Sequence, residues 1–216
     1  MLCFSDILEC MLDRAREINL LWEPVYPYLA RHIADVYGRS DGAVLEVGPF
    51  CGAIYDLVRQ RTGSSFCIAS FPSGMEAFYT EELGKRDMEK LVRVLPTTPE
   101  LAGIGDNTVD LLIFRGALFF PTLFTIDHQA ILRVLRFGGT AFAGGGFGKY
   151  TPPSVIRPLA NRSRELNYLL GKKEVTVDEI QKDLETKSMT GSVEIITEGG
   201  LWIVMKKQIR LSDTCE

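Results

Sequence analysis

A chain of 216 residues, 46% hydrophobic and 24% charged, is long and apolar enough to bury a core of its own, which argues against disorder. A formal charge of -4 argues against a surface built for a phosphate backbone, and no apolar run nears the roughly 18 residues of a membrane span. None of the five cysteines (Cys3, Cys10, Cys51, Cys67, Cys215) forms a C-x-x-C pair, and the acids Asp6, Glu9 and Asp13 with no basic residue before them do not read as a signal peptide; a reduced, cytoplasmic protein is expected, with neither a metal site nor a disulfide framework.

Phe4, Ile7, Leu8, Met11, Leu12, Ala15 and Ile18 recur at helical spacing, and so do Val25, Tyr28, Leu29, His32, Ile33, Val36 and Tyr37 after Pro24. The first forty residues therefore predict two amphipathic helices. Ala43–Val47 is a short apolar run ended by Gly48 and predicts a buried strand. A helix is expected at 53–60, a strand at 65–71, a turn at Pro72-Ser73-Gly74 and a charged helix at 76–90. Residues 91–95 predict a third strand and the apolar stretch 111–114 a fourth. A helix at 127–135, a turn at Phe137-Gly138-Gly139 and a fifth strand at 140–143 follow. Further helices are expected at 154–170 and 176–187, the second with Thr176 and Glu179 at capping-box spacing. Strands at 193–197 and 201–206, joined by Glu198-Gly199-Gly200, predict a β-hairpin.

Alternating strands and helices argue for a parallel sheet covered on both faces, with its ligand site at the strands' carboxyl edge. No repeat or linker interrupts the chain. A single domain is expected, with a helical cover at 1–40, a ligand-binding core at 43–150, and helices plus a final hairpin at 151–216.

Three stretches at that edge draw attention. In Leu45-Glu46-Val47-Gly48-Pro49-Phe50-Cys51-Gly52, glycine permits a tight turn and close ligand approach, Gly52 opens a helix whose N–H groups suit polar ligands, and Glu46 is an acid inside an apolar strand. Arg115-Gly116-Ala117-Leu118-Phe119-Phe120-Pro121 ends the fourth strand: Phe119 and Phe120 form an apolar wall or pack in the core, and Arg115 is expected in the mouth or against a partner such as Asp127. The glycine run Gly144-Gly145-Gly146-Phe147-Gly148 is read as room for a substrate or a moving lid, against a plain connector. His32 lies on an apolar helix face and reads as packed; Cys51 reads as a small packed side chain, with a helix N-terminus as a route to a lowered pKa.

The chain resembles the class I S-adenosylmethionine-dependent methyltransferases of the small-molecule kind. Glu46, Gly48 and Gly52 match three of the four fixed places of that family's first motif, and Phe50 stands where the family has its middle glycine. Asp106-Asn107-Thr108-Val109-Asp110-Leu111-Leu112-Ile113-Phe114-Arg115-Gly116-Ala117-Leu118 is similar to the family's fourth-strand segment, and Ile131-Leu132-Arg133-Val134-Leu135-Arg136-Phe137-Gly138-Gly139 to the segment before its fifth strand. The likeness runs over about 44–207. It implies a Rossmann-like α/β fold: a seven-stranded, mostly parallel sheet with a C-terminal antiparallel hairpin and an N-terminal helical cover.

The same resemblance implies methyl transfer from S-adenosylmethionine to a small molecule, with Glu46, Gly48, Phe50, Gly52, Ser70, Thr97, Arg115 and Gly116 around the cofactor. Ser70 stands where the family has an acid for the ribose hydroxyls, and a serine cannot supply a carboxylate's bidentate grip. Methyl transfer rests on alignment of the reacting groups, with a base needed only where the acceptor loses a proton. His128, Asp127, Tyr150 and Tyr55 are the candidates for that base. Neither nucleic acid nor membrane is an expected partner, and the sequence is silent on oligomeric state. Two other readings stay open: a methyltransferase fold that only binds or scaffolds, and a nicotinamide-dependent oxidoreductase, whose G-x-G-x-x-G spacing is absent.

Overall fold

The structure, a computed structural model, describes residues 4–186 and 192–208. Helix α1 (Phe4–Leu21) passes through a 3-10 turn (Glu23–Val25) into α2 (Tyr26–Tyr37). Pro24 opens the 3-10 turn and Pro27 falls in the first turn of α2, where a missing N–H costs nothing. Gly38, at φ 68, ends α2 in the left-handed conformation. Then come β1 (Ala43–Val47), α3 (Ala53–Arg59), β2 (Ser65–Ser70), α4 (Met75–Gly84), β3 (Val92–Pro96) and β4 (Val109–Arg115). The chain continues through α5 (His128–Val134), β5 (Leu135–Gly145), α6 (Pro153–Leu169), α7 (Val177–Thr186), β6 (Ser192–Ile196) and β7 (Leu201–Lys206).

The strands form one sheet in the order β3-β2-β1-β4-β5-β7-β6. β1 pairs in parallel with β2 (Leu45 opposite Cys67) and with β4 (Leu45 opposite Leu112), so the strand order reverses at β1 and β4. The hairpin pairs antiparallel, with Ala143 of β5 opposite Ile203 of β7. All seven residues of β4 are buried, as a central strand covered on both faces requires. This is the expected seven-stranded fold, hairpin and helical cover included.

Two expected boundaries move by more than two residues. The charged helix stops at Gly84 rather than 90, because Asp87 takes φ 55 and the Met88 N–H turns back to the Leu83 carbonyl. The fifth strand begins at Leu135, so the expected helix gives up its last residue and the expected turn at Phe137-Gly138-Gly139 lies inside the strand. Leu135 pairs with Val109 and Thr140 with Leu111, and the extra residues between bulge out. Gly138 supplies the positive φ of 79 that the bulge needs. Lys187 of the expected seventh helix, and Cys3 and Cys215, lie outside the described residues.

The N-terminal helices cover the carboxyl edge of the sheet together with α6. Trp22 Nε1 donates to Ser163 Oγ at 2.9 Å, and Arg162 pairs with Glu17 at 2.6 Å. Among the described residues, no helix is long and apolar enough to cross a membrane.

Candidate active site

The loop after β1 is held from every side. Gly48 turns at φ 103 and donates its N–H to the Ala69 carbonyl at 2.9 Å. Glu46, fully buried, accepts the N–H groups of Gly52, Ala53 and Ile54 at 2.9, 3.2 and 2.9 Å. That explains an acid inside an apolar strand: it caps α3 from within, where the helix presents unpaired donors. Burial pushes its carboxyl up to about 7, against the pull of the three N–H groups and of the Arg115 charge. The helix N-terminus expected to suit a polar ligand is already filled by this carboxylate.

Next in the loop, the Pro49 carbonyl accepts from Asn19 Nδ2 at 2.7 Å and from the Tyr79 hydroxyl at 2.9 Å, and that hydroxyl accepts the Cys51 N–H at 2.8 Å. The Phe50 carbonyl accepts Arg115 Nε at 2.8 Å, while Arg115 Nη2 reaches Asn19 Oδ1 and the Tyr26 hydroxyl, each at 2.8 Å. Arg115 is thus buried at the mouth with Phe50, Asn19 and Tyr26 as partners, not Asp127. The Cys51 thiol donates to the Gly48 carbonyl at 3.2 Å, and burial pushes its pKa up rather than down. A tyrosine ring fills the space where a Cβ on Gly52 would stand, so this glycine is a matter of packing.

The Phe50 ring is 2% exposed. It lies 4.8 Å from the Phe120 ring and against Gly116, which has φ 82. At the end of β2, Ser70 is fully enclosed, and its Oγ has no partner among the described residues. The Ser70 carbonyl accepts the Thr97 N–H at 2.9 Å, and Thr97 Oγ1 donates to the Ala102 carbonyl. Phe71 meets Phe114 and Phe124 edge-on, and those two stack on each other, at 5.2 to 5.9 Å between centroids. A Cβ on Gly48 would stand 3.0 Å from Phe114 and 3.5 Å from Phe71.

Beyond Phe50, at the ends of β4 and β5, lies a cavity of about 420 Å³. Phe50, Arg115, Gly116, Phe119 and Phe120 line it from the sheet side, and Trp22 of the N-terminal cover with Ser163 and Asn167 of α6 from the other. Of the residues expected around a cofactor, Phe50, Arg115 and Gly116 meet at this cavity, while Glu46, Gly48, Gly52, Ser70 and Thr97 do not line it.

The base candidates lie elsewhere. Asp127 is the N-cap of α5, accepting from Gln129 and Ala130 at 2.9 and 3.0 Å. His128 is buried in the first turn of that helix. The Tyr150 hydroxyl donates to Asp35 at 2.6 Å, and Tyr55 is buried under Arg86, 4.6 Å from its ring. His32 is packed as expected, edge-on to Phe142, and burial lowers its pKa. Gly145 and Gly146 line the cavity, yet the run also packs tightly: a Cβ on Gly145 would stand 2.8 Å from Phe119, and the turn at Gly199 and Gly200 presses on Gly146. Asn19, Trp22 and Ser163 carry no local signal in the sequence, because their roles arise only where α1, the loop and α6 converge.

No protein-family model matches the chain, and no curated protein matches it in sequence. Solved structures do. A Methanococcus maripaludis protein assigned to the S-adenosyl-L-methionine-dependent methyltransferases aligns with a TM-score of 0.74 at 21% identity, over 92% of this chain and 93% of its own. A Haloferax volcanii methyltransferase, solved with the Trm112 methyltransferase activator, aligns with a TM-score of 0.59 at 14% identity, over 88% and 94%. Geranyl diphosphate C-methyltransferase from Streptomyces coelicolor A3(2), solved with S-adenosyl-L-homocysteine, gives 0.53 at 12% identity, over 82% and 76%. The sheet order, the closing hairpin and these alignments agree: this chain has the fold of the class I S-adenosylmethionine-dependent methyltransferases.

Proposed function

We propose that the chain binds a small molecule in the aromatic cavity and that its reaction is methyl transfer from S-adenosylmethionine to that molecule. The position of the cavity carries this reading. It lies at the carboxyl edge beside the strand-order reversal, where open α/β sheets bind their ligands. A protein of the same fold, the Streptomyces coelicolor enzyme, is held with S-adenosyl-L-homocysteine. The donor supplies a methyl group on a good leaving group, so the protein's share is alignment and exclusion of water. Trp22, Phe119 and Phe120 suit that share. Glu174 is the carboxylate among the cavity-lining residues and is the proposed base for an acceptor that must lose a proton.

The residues present do not fit the donor in the seat where the resembling family holds it. The Phe50 ring fills the space beside Gly116, Ser70 brings no carboxylate, and the carbonyls and N–H groups of residues 49–54 named above are already bonded within the chain. This one observation favours a second reading, a protein of methyltransferase fold that keeps the cavity and has given up the donor.

Calorimetry with S-adenosylmethionine and S-adenosylhomocysteine, on the wild type and on Phe50→Gly, separates the two. Binding to the wild type supports methyl transfer. Binding gained only on Phe50→Gly supports the second reading. No binding to either protein at millimolar ligand sinks the first.

A further inference from the structure

Arg115 is a buried cation with no ion-pair partner among the described residues. It is 4% exposed, and among the described residues no Asp or Glu oxygen lies within the 4.0 Å of an ion pair. Its Nε and Nη2 are committed to neutral acceptors: a carbonyl, an amide oxygen and a hydroxyl. Glu46 senses the charge, but its oxygens are turned to the N-terminus of α3. The rings of Trp22 and Tyr26 flank the guanidinium at 4.7 and 5.2 Å, which offsets part of the cost of burying it. Nη1 makes no hydrogen bond among the described residues and is not fully buried, and Arg115 lines the cavity. A guanidinium held rigidly by its other nitrogens, with one amino group left over in an aromatic cavity, is a preorganised anion receptor.

The rest of the lining agrees in sign. Arg164 and Lys172 also line the cavity, with Glu174 as the one acid, so the lining is net positive in a chain of formal charge -4. Lys172 lies 5.1 Å from the Phe119 ring, at the apolar wall. Such a cavity concentrates anions, while its walls demand an apolar body.

We infer that the cavity takes a largely apolar small molecule bearing one carboxylate, with the carboxylate set against Arg115. A single free amino group on Arg115 with two N–H donors matches a monoanion, and the phosphate arm of the test asks whether Arg164 and Lys172 draw a dianion instead. The inference deepens the proposed function by naming the class of small molecule. It rests on the cavity being the ligand site and is independent of the methyl donor.

The test is calorimetry on the full chain, without donor, using 2-naphthoate, its neutral isostere 2-naphthamide, and 2-naphthyl phosphate. The expected result is binding of 2-naphthoate about tenfold or more tighter than the amide, a preference that Arg115→Met removes. The wild-type preference is read without any variant, so it stands even where Arg115→Met does not fold. Asn167→Trp, which fills the cavity from α6, is expected to abolish binding and so locates the site. Equal affinity for acid and amide, no binding of 2-naphthoate at millimolar concentration, tighter binding of the phosphate, or unchanged binding to Asn167→Trp would each overturn the inference. None of these outcomes touches the donor, whose calorimetry succeeds or fails separately.

Discussion

The ring of Phe50 rests on Gly116: a Cβ added to that glycine would stand 2.6 Å from Phe50 Cδ2. The two residues come from loops at the ends of neighbouring strands, β1 and β4. Arg115 ties them, since its Nε holds the Phe50 carbonyl at 2.8 Å and its chain neighbour is Gly116. One contact thus decides whether the space between the two loops is open or closed. Gly116→Ala adds both the clash and a strained φ of 82, and is expected to cost about 2 to 4 kcal/mol in a urea titration. In the Phe50→Gly background the clash with that ring is gone, leaving the backbone part and a Phe120 contact at 3.2 Å, and the same change should cost about 1 to 2 kcal/mol. Equal costs in the two backgrounds would show that the ring does not lie on Gly116.

Glu46 sets a pH dependence of stability. Its carboxyl is raised to about 7 in the fold from an ordinary value of 4.5. A raised acid favours folding fully below its unfolded pKa, and that contribution is lost as pH rises through the folded pKa. Between about pH 4.5 and 7 this group alone is expected to withdraw about 3 kcal/mol. Glu46→Gln keeps an acceptor for α3 and removes the titration. The difference in unfolding free energy between wild type and Glu46→Gln should therefore shift in the variant's favour from pH 5 to pH 8. A difference that stays constant refutes the assignment.

Tyr79 is the strap over the loop. Tyr79→Phe leaves Pro49 its bond from Asn19 but strips the Cys51 N–H of its acceptor. An orphaned buried donor costs about 1 to 3 kcal/mol. Amide exchange at Cys51 should quicken well beyond the global loss of stability. Exchange that only tracks global unfolding would mean the loop is held without the hydroxyl.

Asp127 caps α5 and stands apart from the cavity lining. Asp127→Ala is expected to cost about 1 kcal/mol of stability, as a lost N-cap does, and to leave binding of 2-naphthoate unchanged. Weakened binding with unchanged stability would instead bring this carboxylate to the ligand.

Much of the fold was legible in the chain because it rests on local patterns. Apolar runs bounded by Gly48, Gly74 and the Glu198-Gly199-Gly200 turn marked strands that the sheet contains, and the order of strands and helices, with the resemblance, gave the architecture. The local pattern cuts the fifth strand short because a bulge with glycine at positive φ looks, locally, like a turn. What a residue faces was less legible. Glu46 was recognisable as an acid needing a reason, but not as the cap of α3, because its three donors are defined only when loop and helix fold over it.

The sequence by itself determined that an α/β sheet would bring Phe50, Ser70 and Arg115 to one edge, since strand alternation and right-handed crossovers leave no other place for loops after parallel strands. Only the tertiary structure decided what each does there. Phe50 lies on Gly116, Ser70 is buried with no partner for its hydroxyl among the described residues, and Arg115 is pinned by Asn19 and Tyr26 where it lines the cavity. The reason is physical: strand periodicity is a property of neighbours in the chain, whereas closing a site and leaving a buried charge partly unpaired depend on groups up to 96 residues apart meeting within hydrogen-bond distance.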